Sequence, residues 1–311
     1  MPSAQEPVIT VVGSANLDLF LRTQKLPAAG ETVVARQLTR SFGGKGANQA
    51  VAIARLGGKV RMACRVGGDD SGQQLIDNFA AQGVDTSLVK PSPECSSGSA
   101  FVTVDHEGEN TIVIHPGANE RLFPADLEAA EADIGNSAVI VTQLEIPIPT
   151  VVKAAEIAKK WRVPFILNPA PAPAEDISEI LKKTDVLCPN RTEAERLSGR
   201  GVLDVDSAFR AGRELRNRGI PYIVITLGAE GAVLIAEDQQ EHFRAPAVEV
   251  RDTTGAGDAF VGAFAFFFAS GESISSAVRL ACIAAAISVS KEGTQAGLPT
   301  LEEVKELAER V

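Results

Sequence analysis

The stretch 7–13, PVITVVG, is an unbroken apolar run rich in β-branched residues, and five runs of the same kind follow it along the chain. Hydrophobicity that is continuous, and does not alternate with polar residues, is typical of strands covered on both faces. Such strands occur in sheets that have helices on both sides. The five further runs are KVRMACRV (59–66), AVIVTQ (138–143), VPFILN (163–168), DVLCPN (185–190) and PYIVITLG (221–228).

Residues with helical spacing lie between these runs. Apolar side chains recur there at intervals of three and four residues, and a glycine suited to end a helix follows each set. Strands that alternate with helices predict an α/β fold with a largely parallel sheet. The two clearest sets are Ala47, Ala50, Val51 and Ala54 before Gly57, and Leu75, Ile76, Phe79 and Ala80 before Gly83.

Two stretches, 16–41 and 97–115, interrupt this rhythm. In the second, GSAFVTVD and NTIVIH flank the turn-prone HEGE. Alternating hydrophobicity without helical spacing predicts half-exposed strands joined by hairpins. We expect a small β-sheet that projects from the rest of the fold, and an exposed sheet face of this kind usually either covers a pocket or pairs with a copy of itself. The rest of the chain, residues 1–15, 42–96 and 116–311, is assigned to an α/β body.

Charge and composition argue against several classes of protein. The 311 residues include 40 acidic and 30 basic side chains, giving a net charge of −10, whereas nucleic acids and anionic membranes are bound by clusters of basic residues. The longest apolar run, 259–269, is far shorter than the roughly 20 residues that span a bilayer. The first residues lack the pattern of a signal peptide, so we expect a cytoplasmic protein, or one that is also nuclear in a eukaryotic cell.

The segment DTTGAGD (252–258) stands directly before a long run of helical residues. Its small residues let the backbone turn tightly and leave several N–H groups unpaired at the helix start, which favours the binding of an anion. Asp258 lies in the first turn, beside the predicted anion. A carboxylate in that place is suited to take the proton from a hydroxyl that attacks a phosphoryl group. The alternative is a capped helix in which the helix dipole favours Asp258.

Two further segments carry polar groups suited to a sugar. FGGKGAN (42–48) lacks the Ser or Thr that follows the lysine of a P-loop, and it lacks the spacing of a dinucleotide-binding motif. Its lysine and asparagine suit a polyhydroxylated substrate, although glycine-rich helix starts also serve packing alone. In GSANLD (13–18), Asn16 and Asp18 alternate by two and project to the same side of an extended segment, which suits paired hydroxyls or a polar turn.

Other polar residues stand at the carboxyl ends of the predicted strands. Open α/β sheets bind their ligands at that edge. The shared position therefore predicts that these residues contribute to one site. They are Glu145, Asn168, Asn190, Glu193, Thr226 and Gly228.

Two long motifs resemble the signatures of the PfkB carbohydrate kinase family: SFGGKGANQAVAIARLG (41–57) and DTTGAGDAFVGAF (252–264). The resemblance extends from about residue 8 to residue 300, and GKGANQA together with LNPAPA (167–172) is similar to the ribokinase branch of the family. It implies a doubly wound α/β fold and a β-sheet lid that forms the dimer contact. It also implies transfer of a phosphoryl group from ATP to the 5-hydroxyl of D-ribose.

The resemblance implies a role for each matching residue. Asp258 is the expected catalytic base, and the anion hole is formed by Gly255, Ala256 and Gly257. The sugar is expected to contact Asn16, Asp18, Gly44, Lys45, Asn48 and Glu145, together with Asp258. Asn190 and Glu193 would act near Mg²⁺ and the phosphates. The nucleotide would contact Thr226, Leu227, Gly228, Ala229, Glu230, Gly231, Gly257 and Cys282.

The family also has a site for a monovalent cation beside the anion hole, so the resemblance implies activation by K⁺. Gly297 stands where many family members have a serine, and one hydroxyl is therefore missing from the expected ligands. The residues expected to hold the cation are Asp252, Thr254, Ser288, Lys291, Gly293 and Gly297.

Other functions stay open for these residues. One is a PfkB-family kinase of another small sugar or a nucleoside, because pocket size cannot be derived from sequence. Another is a catalytically silent sugar-binding protein on the same fold, although the intact Asp258 argues against it. A nucleotide-binding oxidoreductase is set aside because no Gly-x-Gly-x-x-Gly follows the first strand. The expected partners are D-ribose, ATP and a second copy of the chain.

Overall fold

All six predicted apolar runs form strands in the computed structural model, which describes residues 7–311. Residues 1–6, part of the predicted α/β body, lie outside the described residues. In chain order the strands are β1 (Val8–Val12), β2 (Asn16–Arg22), β3 (Gln37–Gly43), β4 (Lys59–Gly67), β5 (Asp85–Ser92), β6 (Ser99–Val104), β7 (Asn110–His115), β8 (Val139–Thr142), β9 (Phe165–Leu167), β10 (Val186–Leu187), β11 (Tyr222–Thr226), β12 (Ala232–Ile235) and β13 (Gln240–Phe243).

Nine of these strands form the central sheet, in the order β13-β12-β11-β10-β9-β8-β1-β4-β5. Neighbouring strands are parallel from β11 to β5, and the β11–β12 and β12–β13 pairs are antiparallel. This confirms the mostly parallel sheet. The sequence did not reveal β5, β12 and β13, because β5 and β13 are edge strands with polar residues and β12 follows β11 closely.

The remaining four strands form a separate small sheet, in the order β3-β2-β6-β7. β6 and β7 make the predicted hairpin, whose turn lies at 105–109. The hairpin predicted within 16–41 is wrong in one respect: β2 and β3 are antiparallel neighbours, but a long loop, 23–36, connects them. Pro27 and Gly30 lie in that loop and interrupt the strand pattern. Parallel pairing of β2 with β6 joins the two halves of the sheet.

Helices cover both faces of the central sheet. They are α1 (Lys45–Arg55), α2 (Asp70–Ala81), α3 (Pro124–Glu128), α4 (Glu131–Gly135), α5 (Ile148–Trp161), α6 (Ser178–Leu181), α7 (Arg191–Ser198), α8 (Val205–Asn217), α9 (Ala256–Ala269), α10 (Ile274–Val289) and α11 (Leu301–Ala308). One hydrophobic core lies between the sheet and α1, α2 and α9–α11, and a second lies between the other face and α3–α8. This arrangement confirms the doubly wound fold.

α9 contains the longest apolar run of the sequence. It packs between α1 and α10, and its Phe264 is fully buried. The run therefore belongs to the core, as its short length predicts. Within residues 7–311, no helix combines the length and the apolar character that a membrane span requires.

Candidate active site

The first turn of α9 lines a cavity of about 190 Å³ near the carboxyl ends of β10 and β11. Gly255 precedes the helix with φ of 78°, a left-handed conformation that glycine adopts without strain. The first N–H groups of a helix have no acceptor within it. Ala256 N–H donates to Thr253 O at 3.3 Å, so the N–H groups of Gly255 and Gly257 are the ones that can face an anion in this cavity. The three residues predicted for the anion hole, Gly255, Ala256 and Gly257, thus lie together beside Asp258.

Asp258 is almost fully buried, and both oxygens of its carboxylate accept hydrogen bonds. Asn48 Nδ2 donates to Oδ2 at 2.9 Å, and Gln49 Nε2 donates to Oδ1 at 3.1 Å. Burial raises the pKa of Asp258 above its ordinary value, while the charge of Lys45 and the two amide donors oppose that rise. A carboxylate with a raised pKa is a stronger base, which suits the predicted proton transfer.

Lys45 and Glu145 meet at the start of α1. Glu145 Oε2 accepts from the Lys45 backbone N–H at 2.9 Å and from Ser14 Oγ at 2.6 Å. Burial lowers the pKa of the Lys45 ammonium group, but nearby carboxylates more than offset this, so the pKa stands above its ordinary value. Lys45 therefore keeps its charge in a largely buried place. These carboxylates belong to Asp258, Glu145 and Glu193.

Asp18 lies on β2, in the small sheet, near Glu145. Ala100 N–H donates to its Oδ1 at 2.9 Å. Gly43 on the neighbouring strand leaves room for this carboxylate, since a Cβ there would collide with Asp18 Oδ2. Burial, opposed by the Ala100 hydrogen bond and reinforced by the charge of Glu145, raises the pKa of Asp18 to about 6. The small sheet thus places a carboxyl group with a raised pKa near Glu145.

Asn16 is buried beside Asn119, a residue that sequence analysis did not identify. Asn119 Nδ2 donates to Asn16 Oδ1 at 2.7 Å, and Ala15 N–H donates to Asn119 Oδ1 at 2.9 Å. Because the side-chain oxygen of Asn16 accepts this bond, its amide nitrogen is the group that could still donate to a ligand. Asn119 lies on a 3₁₀ turn after β7, where neither strand nor helix spacing marks it.

Asn190 and Glu193 form a capping box at the start of α7. Glu193 N–H donates to Asn190 Oδ1 at 2.9 Å, and Asn190 N–H donates to Glu193 Oε2 at 2.8 Å. Both residues line the 190 Å³ cavity together with Lys45 and Asp258. Burial raises the pKa of Glu193 against the opposing effects of Asn190 and Lys45. In the described part of the chain, no three His, Cys, Asp or Glu side chains cluster as a metal site.

A second cavity, of about 500 Å³, adjoins the first, and the two share Thr226, Thr253, Ala256 and Gly257. Its walls are mostly apolar, which suits a flat aromatic group. Leu227 and Glu230, which the resemblance assigns to the nucleotide, do not line this cavity: Leu227 is buried in the core and Glu230 pairs with Arg191. The predicted nucleotide residues that do line it are Thr226, Gly228, Ala229, Gly231, Gly257 and Cys282.

One wall of the apolar cavity comes from residues that sequence analysis missed. Ala245, Pro246, Ala247, Val248 and Val250 belong to the segment between β13 and α9. That segment has neither helical nor strand structure, so no periodic pattern marked it. Its place beside the other walls is decided by the packing of the surrounding elements.

Asp252 connects the two loops of the predicted cation site. Thr254 N–H donates to its Oδ1 at 2.9 Å, and Gly293 N–H donates to its Oδ2 at 3.0 Å. Partial burial raises the pKa of Asp252, but the hydrogen bonds outweigh burial and hold the pKa below its ordinary value. The Lys291 side chain forms an ion pair with Glu303, so a role of Lys291 at a cation is confined to its backbone.

Gly297 lies close to two backbone carbonyl oxygens. A Cβ at this position would lie 2.7 Å from Gly293 O and 3.1 Å from Ser288 O. The Ser288 hydroxyl donates to Ala285 O at 2.8 Å, so its backbone carbonyl is the group directed to Gly297. The predicted residues Ser288, Gly293 and Gly297 are thus brought together, through backbone oxygens.

Sequence analysis also missed three buried glutamines near Asp258. Gln49 donates to Asp258, Gln143 donates to Gln49, and Gln295 donates to Asn48. They come from α1, from the residue after β8 and from the loop before α11. The contacts span as many as 247 residues of sequence, so no local spacing could have revealed them.

Known proteins match this chain along nearly its whole length. The profile described as pfkB family carbohydrate kinase matches residues 7–301. A deoxyribokinase of Salmonella typhimurium is 40% identical over 298 residues, which cover 96% of this chain and 97% of the relative. A ribokinase of Staphylococcus aureus is 38% identical over 301 residues, which cover 96% of this chain and 99% of the relative.

Among solved structures, the chain is similar to the Arabidopsis thaliana ribokinase complexed with ribose and ATP. The TM-score is 0.91 at 32% identity, and the match covers 97% of this chain and 99% of the other. The fold, the glycine-rich start of α9 and the profile match over residues 7–301 lead to one conclusion. The chain belongs to the PfkB family of carbohydrate kinases.

Proposed function

We propose that this protein transfers the γ-phosphoryl group of ATP to the 5-hydroxyl of D-ribose, giving ribose 5-phosphate and ADP. The position of Asp258 carries this proposal, because its buried carboxylate shares one cavity with the first turn of α9 and with Lys45. A base, an anion site and a fixed positive charge thus meet in one space. Similarity to the Staphylococcus aureus ribokinase, and to the Arabidopsis thaliana ribokinase complexed with ribose and ATP, supports the choice of substrates.

The sugar would lie between the small sheet and the start of α1. Asp18 would accept hydrogen bonds from two hydroxyl groups, and the free amide group of Asn16 would donate to a third. Gly44 at the start of α1, whose φ is 85°, would let the sugar approach the backbone. Glu145 would act partly through the Lys45 backbone, which it already holds. Asn48 would contact the sugar beside Asp258.

In the proposed reaction, Asp258 takes the proton of the 5-hydroxyl as the hydroxyl oxygen attacks the γ-phosphorus. The bond from the γ-phosphorus to the bridging oxygen breaks, and ADP leaves with that oxygen. Negative charge on the transferred group faces the N–H groups at the start of α9, which stabilise it without having to reorient. Lys45 adds a positive charge in the same cavity.

ATP would place its adenine in the apolar cavity and its phosphates in the smaller one, because the two cavities adjoin at Thr226 and Gly257. Mg²⁺ usually keeps several waters and is bound through one or two carboxylates and the phosphates. Glu193 and Asn190 fit that pattern, since they offer oxygen atoms without a complete metal cluster. Mg²⁺, when bound, would neutralise charge on the phosphates.

K⁺ would lie between Asp252 and the carbonyl oxygens near Gly297. A carboxylate and backbone carbonyls are hard oxygen donors, which fit an alkali cation. The carboxylate of Asp252 already holds the backbone N–H groups of Thr254 and Gly293, so the donor set connects directly to the residues before α9.

The small sheet would act as a lid on the sugar and as the contact of a homodimer. Its Asp18 supports the first role, and its exposed apolar side chains support the second. We also predict a cytoplasmic location, where ATP is available. Both the dimer and the location stay predictions.

The test is an assay of ATP consumption with D-ribose, 2-deoxy-D-ribose, fructose and adenosine. We expect the highest kcat/KM for D-ribose. A higher value for 2-deoxy-D-ribose would favour the second candidate function, which the 40% identity to the Salmonella typhimurium deoxyribokinase supports. A higher value for fructose or adenosine would refute D-ribose as the preferred substrate, while the proposal of a kinase activity would stand. Sugar binding without any phosphorylation would indicate a catalytically silent protein.

A further inference from the structure

A chain of buried amide side chains ends on Asp258. Gln49 lies at its centre and is fully buried, like Gln143. Gln49 Nε2 donates to Asp258 Oδ1 at 3.1 Å and to Asn168 Oδ1 at 3.1 Å. Gln143 Nε2 donates to Gln49 Oε1 at 2.6 Å. Every polar atom of the Gln49 side chain is therefore used inside the protein.

The direction of these amides follows from one backbone carbonyl. Asn168 Nδ2 donates to Cys188 O at 2.9 Å, and a carbonyl oxygen can only accept. The Asn168 side-chain oxygen therefore faces Gln49 as an acceptor, so Gln49 must direct its donor nitrogen, Nε2, towards it. The Gln49 oxygen, Oε1, then faces Gln143, and Gln143 must donate to it through its own Nε2. The same orientation delivers a donor from Gln49 to Asp258.

This arrangement leaves one atom without a partner. Gln143 Oε1 is buried and makes no hydrogen bond in the structure. Buried polar atoms without a partner are rare because their loss of hydration is not compensated. The Gln143 amide cannot turn to relieve this, since its oxygen would then face Gln49 Oε1. Gly13 provides the space for the unpartnered oxygen, because a Cβ there would collide with it.

A second series of amides reaches the other oxygen of Asp258. Gln295 Nε2 donates to Asn48 Oδ1 at 3.1 Å, and Asn48 Nδ2 donates to Asp258 Oδ2 at 2.9 Å. Asn78 fixes Gln295 in turn, by donating to its Oε1 at 2.9 Å. Each carboxylate oxygen thus accepts one oriented donor and keeps a lone pair for another hydrogen bond.

From these contacts we propose that Gln49, held by Gln143, is a positioning residue that sets the rotation of the Asp258 carboxylate towards the substrate hydroxyl. The inference rests on the proposed role of Asp258 as the base. A carboxylate that is free to rotate about its Cβ–Cγ bond would spend less time with a lone pair directed at the hydroxyl. The Gln143 nitrogen donates to Gln49 Oε1 and so helps to keep the Gln49 nitrogen directed at Asp258, and the unpartnered Gln143 oxygen is a consequence of that orientation.

The charged groups around Asp258 do not replace this function. They are Lys45, Glu145 and Glu193, and they act on Asp258 through charge. These charges change the pKa of the Asp258 carboxyl group, but they do not fix the angle of the carboxylate about its Cβ–Cγ bond. Oriented hydrogen bonds are directional and do select it.

The test is a double-mutant cycle with Gln49→Met and Gln143→Met, which are close to the native residues in size. With the sugar that the wild-type protein prefers, we expect Gln49→Met to lower kcat about 30-fold and Gln143→Met about fivefold. KM for that sugar should stay within about threefold of the wild-type value. The double variant should equal Gln49→Met alone, because Gln143 acts only through Gln49. Ser137→Ala is the matched control, since it removes a buried hydrogen bond to Thr10 that belongs to neither series of amides.

The outcomes separate this inference from the proposed function. A wild-type protein that phosphorylates no sugar refutes the function. An active wild type with a Gln49→Met kcat within about twofold overturns the inference, as does a double variant whose loss is the product of the two single losses. If Gln49→Met does not fold, as judged by its thermal unfolding, the comparison passes to Gln143→Met against Ser137→Ala. Equal kcat in those two variants would then overturn the inference.

Discussion

At the scale of single residues, the sharpest prediction concerns Asp258→Asn. We expect kcat to fall by about 10² to 10⁴, because an amide cannot accept the proton of the hydroxyl. Ribose affinity should stay within about tenfold, since the sugar keeps its other contacts. Both oxygens of Asp258 accept from amide donors, so the new amide group would face Asn48 or Gln49 and lower the unfolding temperature. Kinetics and calorimetric titration with ribose provide the test. Activity within about threefold of wild type would refute the role of Asp258 as the catalytic base.

Asp18 yields a prediction about stability and pH. Its pKa of about 6 in the folded protein, against 3.8 in the unfolded chain, means that the folded state binds more protons between these values. Stability is therefore lost as the pH rises from about 4 to about 6, by an amount on the order of 3 kcal/mol. A neutral Asn at this position avoids the loss and still accepts from Ala100.

Asp18→Asn should accordingly be more stable than wild type in urea at pH 7.5, by about 1–3 kcal/mol, with an advantage that shrinks towards pH 4. The same substitution should weaken ribose binding, because a charge-assisted hydrogen bond to a hydroxyl is lost. Urea unfolding at several pH values, together with ribose titration, measures both effects. An advantage that does not depend on pH would contradict the raised pKa, since the burial of Asp18 would then not disfavour its charge.

At the scale of the elements, the loop before α11 and the segment before α9 are expected to bind K⁺ between them. K⁺ should raise kcat more than it changes KM for ribose, because it orients the backbone of the anion site and does not touch the sugar. Titration with KCl against a large organic cation at constant ionic strength separates binding from screening. A flat response would refute the site.

A side chain at position 297 would meet the backbone of the neighbouring loop. A Cβ would lie 2.7 Å from Gly293 O, so Gly297→Ser introduces a close contact along with its hydroxyl. We therefore expect Gly297→Ala to need more K⁺ for half-activation than wild type, and Gly297→Ser to need less than Gly297→Ala. Equal midpoints in the two variants would show that the hydroxyl is not a ligand.

At the scale of the whole molecule, the small sheet is expected to pair with a second copy. Phe101 and Val113 are paired neighbours on β6 and β7, and 44% and 66% of their surfaces are exposed. They lie on the face opposite to Asp18, because β2 pairs Leu19, the next residue, with Phe101. Charged side chains usually keep an exposed sheet from associating with another chain, and neither Phe101 nor Val113 is charged.

Light scattering at micromolar concentration should therefore detect a dimer. Val113→Asp should give a monomer, because dimerisation would bury an unpaired charge. Thr111→Asp, two residues away on the same strand face and nearer its exposed turn, is the control and should disturb dimerisation less. A wild-type monomer in the presence of ribose and nucleotide would contradict the predicted contact.

Local sequence determined the main architecture. Continuous apolar runs such as 7–13 and 221–228 predicted central strands, because burial on both faces removes the alternation that a half-exposed strand keeps. The glycines at the start of α9 predicted a helix start open to an anion, with Asp258 in its first turn. These features depend on residues close together in the chain, so spacing alone reveals them.

Tertiary structure decided what surrounds Asp258. Gln143 lies 94 residues from Gln49 along the chain, and Gln49 lies 209 residues from Asp258, yet their side chains form one hydrogen-bonded series. The apolar wall at 245–250 and the carbonyl oxygens beside Gly297 were equally hidden from the sequence. The physical reason is that periodicity reports which face of an element is buried, whereas the partner of a buried polar group depends on how helices and sheet pack together.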